Sequence, residues 1–141
     1  MNYKKIGQEL YERGYVDGRY LMCHSNATVA TGKDYGLFAT FTTYSQKNLP
    51  SFMILSIKDD KLHISHSKMF GGFKAYYGYI ELASLKYQNT ERINAATDMH
   101  QFICETDNGK FNFQINVTQK KDEGQKLVNA IIDYQKRKEF L

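Results

Sequence analysis

The sequence predicts a mainly β (α+β) domain. Its body is seven antiparallel strands in a bent sheet or partly open barrel, capped by a carboxy-terminal α-helix and preceded by a helical amino-terminal extension. Three observations carry this. From Gly36 onward apolar residues recur with a period of two, the rhythm of a half-buried strand. The chain holds 11 Tyr and 9 Phe but a single Pro, a composition that favours the pleated surface. After residue 120 the period changes to that of a helix, with Leu127, Val128, Ile131, Ile132 and Gln135 on one stripe.

The elements follow in order. Tyr3, Ile6, Leu10 and Tyr11 fall at helical spacing, and Gly14 is a plausible stop. Leu21–Cys23 and Thr28–Ala30 read as short extended pieces. Leu37–Tyr44 is the first strand of the body, and the segment 45–51 with Pro50 is a connection. Phe52–Ile57 and Lys61–Ser67 form a hairpin turned by Asp59-Asp60. Gly71-Gly72 marks a flexible tip before an aromatic strand, Phe73–Leu82, in which Gly78 is a possible bulge. Leu85–Gln88 is a further short strand, and Asn89–Asp98 reads as a loop. Met99–Thr106 and Lys110–Val117 form a hairpin around Asp107-Asn108-Gly109, because Asn-Gly adopts positive φ cheaply. The final helix carries Asp122 and Gln125 in capping-box spacing, with Thr118 a rival cap. Lys136-Arg137-Lys138 suits its negative end. The natural division is 1–35 as extension and 36–141 as the domain.

With 141 residues the chain suits one domain. No apolar run follows the polar start Met1–Lys5, and none approaches the ~20 residues that span a bilayer. A reduced, cytoplasmic chain with two free thiols, Cys23 and Cys104, is expected. The net charge is +4, mild and segmented, so no nucleic-acid partner is expected.

Chemical motifs are sparse. His63 and His66 lie three apart in a strand and face opposite ways, so they do not chelate one ion. Cys23-His24 has the same fault, and Cys104 alternates with Phe102 as a small hydrophobe. Nothing sets a base, His24 or His100, beside either thiol. No catalytic residue, cofactor or metal is expected. The best candidate surface lies within the acid-free window 61–80: Lys61, Lys68, Phe70, Phe73, Lys74 and Tyr76. There lysines could hold an acidic partner and exposed aromatics could enter an interface. The plainer alternative is that alternate aromatics fill the interior while the lysines are solvated.

Asp60-Lys61-Leu62-His63-Ile64-Ser65, the run Tyr79–Tyr87, and the strand–Asp-Asn-Gly–strand–helix tail resemble the bacterial pleckstrin-homology-like (PH/GRAM-like) family over residues 37–135. That resemblance implies a PH-like fold and a non-enzymatic interaction or scaffold module that binds a protein or peptide. Some relatives in the wider fold hold inositol phospholipids through basic residues in the first strand–strand loop. Here segment 45–50 has only Lys47, so no lipid site is carried over. The alternative function is a peripheral membrane or anionic-ligand binder acting through segment 61–80. The stripe of the first helix covers either its own domain or a second copy, the latter making a homo-oligomer.

Overall fold

The computed structural model describes residues 2–25, 28–29, 52–69, 71–106 and 109–139. The order is α1 (Tyr3–Arg13), β1 (Met22–Ser25), β2 (Thr28–Val29), β3 (Met53–Lys58), β4 (Lys61–Ser67), β5 (Phe73–Glu81), a 3-10 turn at Leu82–Ser84, β6 (Leu85–Arg92), β7 (Asp98–Thr106), β8 (Gly109–Val117) and α2 (Lys121–Glu139). The mainly β character and the carboxy-terminal helix match the expectation. The expected strand Leu37–Tyr44 and the connection after it lie outside the described residues, as does Phe70.

The described strands do not close into one barrel. They form two four-stranded sheets, β1-β3-β4-β5 and β2-β8-β7-β6, with antiparallel pairs throughout. β1 and β2, separated by Asn26 and Ala27 alone, pair with different sheets: Cys23 lies opposite Leu55, and Val29 opposite Phe113. Segment 89–92, read as loop, instead extends β6, with Thr90 opposite His100 and Arg92 opposite Asp98. Backbone pairing with β7 overrides a polar sequence on an exposed edge strand.

Each terminus of α1 is closed locally. The Asn2 side chain accepts the Lys5 N–H at 3.1 Å, and Gly14 adopts φ 86°, which a residue with a Cβ rarely takes. In α2 the expected cap is corrected. The helix begins at Lys121, so Asp122 sits inside its first turn, and Glu123 N–H donates to the Lys120 carbonyl.

One core lies between the sheets. Cys23, Met53, Leu55, Leu62 and Ile64 meet Phe102, Cys104, Phe113, Ile115 and Val117 there, together with Leu127, Val128, Ile131 and Tyr134 from α2. Each fully buried Leu, Ile or Phe contributes about 1.5–3 kcal/mol. α2 contacts β1, β6 and the 3-10 turn, where Gln135 Nε2 donates to the Leu82 carbonyl at 2.6 Å. A second cluster covers the outer face of the first sheet, where Ile6, Leu10 and Val16 pack on Met22, Ile54 and Phe73. Ile6 and Leu10 of the α1 stripe are therefore covered by the chain's own sheet, whereas Tyr11 stays 51% exposed. No helix among the described residues is long and apolar enough to cross a membrane.

Candidate functional site

The aromatic strand β5 decides where the candidate residues go, and two bulges decide β5. Ile64 pairs with Gly78 and Ser65 with Tyr76, leaving Tyr77 extra; His66 pairs with Ala75 and Ser67 with Phe73, leaving Lys74 extra. Each extra residue shifts the alternation by one. Phe73, Tyr76 and Tyr79, spaced by three, thereby share the outer face, while Tyr77 and Ile80 enter the main core. The bulge expected at Gly78 falls on its neighbour Tyr77.

On that outer face the segment after α1 completes an aromatic layer. Tyr15 stacks on Tyr76 with centroids 4.1 Å apart and planes at 12°. Its carbonyl accepts the Ser56 hydroxyl at 2.7 Å, which fixes the segment against β3. Phe73 lies under the Arg13 guanidinium at 4.2 Å, and Tyr79 under Lys61 at 5.4 Å. The Tyr76 hydroxyl is pushed up to about 12, first by burial and then by the nearby Tyr15 and Tyr79.

The candidate residues thus separate. Phe73 is buried and Tyr76 half-buried, under α1 and its trailing segment rather than in the inter-sheet core or open to solvent. Lys61 is half-buried over Tyr79, and Lys68 and Lys74 are exposed near the two ends of the β4–β5 turn. Arg13, Tyr15 and His63 belong to the same layer. Sequence reasoning missed Arg13 and Tyr15 because their contacts reach about 60 residues along the chain, and no local spacing signals them.

The other chemically suggestive groups are buried or half-buried. Burial pushes the Cys23 and Cys104 thiols up to about 12. Cys23 faces the core, whereas His24 bonds the Ser67 hydroxyl on the outer face. His100 is 1% exposed and bonds Thr90 Oγ1 through Nδ1 at 2.8 Å. His63 contacts Tyr15 and Tyr76, and His66 contacts Tyr77, on opposite faces as expected. Among the described residues no three His, Cys, Asp or Glu gather as metal ligands.

Recesses among the described residues include two that border charged side chains. A cavity of about 530 Å³ opens between the β3–β4 turn and the last turns of α2. Its floor includes Leu21, Leu82 and Tyr134, and its rim mixes Lys58, Lys136 and Arg137 with Asp59, Asp60 and Asp133. Arg19 hydrogen-bonds Asp17 at the same rim and holds its carboxyl below the usual range. A smaller cleft of about 320 Å³ lies between the first turns of α1 and the β4–β5 tip.

Compared with known protein families, curated proteins and solved structures, the chain matches none.

Proposed function

We propose that the chain is a non-enzymatic interaction module of PH-like architecture that binds a protein or peptide partner. The observation that carries this is that β1 and β2 pair with different sheets while α2 closes the core beside β1. In the family the sequence resembles, such a scaffold serves binding. The buried thiols and the hydrogen-bonded histidines fit that reading, since none is poised to attack or to move a proton.

The test places a photoreactive amino acid at Lys68, Lys74 or Lys61, and at Arg92 and Gln125 as remote controls, with crosslinking in living cells. A discrete protein adduct from the β4–β5 positions and none from the controls is expected. Adducts from no position, or equally from all, overturn the reading.

A second reading, an anionic lipid surface held by Lys61, Lys68 and Lys74, is favoured by one observation. None of these lysines takes part in an ion pair among the described residues. Co-sedimentation with phosphatidylglycerol vesicles across salt concentrations tests it, and absence of binding at low salt removes it.

A further inference from the structure

The cleft beside the β4–β5 tip gathers positive charge from separate elements over an apolar floor. Lys5 on α1 and Lys68 after β4 stand at its rim, with Ile6 and Phe73 lining it. Ile6 and Phe73 are 6% and 7% exposed, so the floor is recessed. Gly71 and Gly72, both at φ 98°, form the opposing wall without side chains. The backbone holds Lys68 in place. Its N–H donates to the Gly72 carbonyl at 2.9 Å, and its carbonyl accepts from Gly71 N–H and from the Ser67 hydroxyl. Lys4 lines the adjoining surface of α1 together with Glu12, and Lys120 reaches the same end of the molecule, 5.8 Å above the Tyr3 ring. Among the described residues Glu9 is the acid that lines the cleft, and Arg13 engages it at 3.3 Å. Lys4, Lys5, Lys68 and Lys120 have no ion-pair partner among the described residues.

We propose that this cleft seats an acidic peptide segment of the partner, with one apolar side chain resting on the floor of Ile6 and Phe73 and flanking carboxylates on Lys5 and Lys68. This rests on the reading of the chain as a protein-binding module and names the chemistry of what it takes. The volume lies at the small end of the roughly 300–1,000 Å³ usual for ligand sites, which suits one side chain better than a cofactor. A bilayer is the poorer occupant. The apolar atoms are recessed, and among the described residues Met69, 71% exposed, is the large apolar side chain that protrudes at the tip.

The probe is a short fluorescein-labelled peptide of Glu and Asp around one central Leu, followed by fluorescence anisotropy. Saturable binding that weakens with salt is expected. A Lys5→Glu/Lys68→Glu variant should bind roughly tenfold more weakly, and Arg92→Glu should bind as the parent does. The Gln pair at the same two positions should fall between, and circular dichroism checks that each variant is folded. Replacing the central Leu of the probe by Ala should also weaken binding. Overturning results are no saturable binding by the parent chain, equal loss in Arg92→Glu, or indifference to the Leu. Binding to phosphatidylglycerol vesicles that the Glu pair abolishes, with no peptide binding, also overturns the proposal. In the crosslinking panel, extended to Lys5, adducts from Lys61 or Lys74 with none from Lys5 or Lys68 overturn the cleft and leave the module standing. Adducts from no position remove the module itself.

Discussion

The Tyr76 hydroxyl donates to His63 Nδ1 at 2.9 Å, and His63 Nε2 in turn donates to the Lys58 carbonyl at 3.2 Å. A carbonyl only accepts, so Nε2 carries the proton and Nδ1 takes the hydroxyl hydrogen. Burial keeps the imidazole neutral against the opposing pull of the Lys58 carbonyl, and the chain of hydrogen bonds ties the aromatic layer to the β3–β4 turn.

That arrangement sets a pH dependence. Burial is the first cause that lowers His24, His63 and His100 below their ordinary 6.5. In the unfolded chain each gains a proton as pH falls through 6.5, whereas the folded chain gains it only lower down. The unfolded state therefore binds protons first. The stability contributed by neutral histidine is fully present above pH 6.5 and is lost as pH falls from there toward the folded-state values. Thermal melts between about pH 8 and pH 4.5 should show a midpoint falling below pH 6.5, more shallowly in His63→Gln.

The two cysteines should be silent. Both are buried, and a thiol at about 12 is almost entirely protonated at neutral pH. Ellman's reagent should titrate neither thiol in the native protein and both in guanidinium chloride. Fast reaction of one thiol in the native state would contradict the packing around it.

Gly124 is required by contact. A Cβ there would lie 2.9 Å from both Val117 methyl carbons, within the first turns of α2. Alanine normally gains about 1 kcal/mol over glycine inside a helix. Here overpacking should outweigh that, and Gly124→Ala should destabilise by roughly 1–3 kcal/mol in urea unfolding. Gly124→Ala with Val117→Ala should cost less than the two single losses together, because the second change removes the obstructing methyls.

The β3–β4 turn offers a gain. Asp59 and Asp60 both take positive φ, 55° and 61°, in a two-residue link where Lys58 pairs with Lys61. Such turns favour glycine at the second position. Relief of the left-handed strain should exceed the extra unfolded-state entropy, so Asp60→Gly should stabilise by roughly 0.5 kcal/mol. Asp60→Val should lower the melting midpoint, since a branched Cβ tolerates that φ poorly.

By itself the sequence determined the elements whose apolar period runs unbroken: the first helix through Gly14, the β3–β4 hairpin, the β7–β8 hairpin and the buried stripe Leu127, Val128, Ile131. In these, local spacing and burial agree, so residues within a few positions of one another carry the whole signal. Tertiary structure alone decided the rest. It extended β6 through polar residues, set Met22–Ser25 in one sheet and Thr28–Val29 in the other, and set Phe73, Tyr76 and Tyr79 on one face through bulges at Lys74 and Tyr77. It also brought Lys5 beside Lys68 and Arg13 over Phe73. The physical reason is that a bulge or a cross-sheet pairing is selected by neighbours distant along the chain. One inserted residue reverses which side faces the core, and nothing within a strand's own alternation announces the insertion.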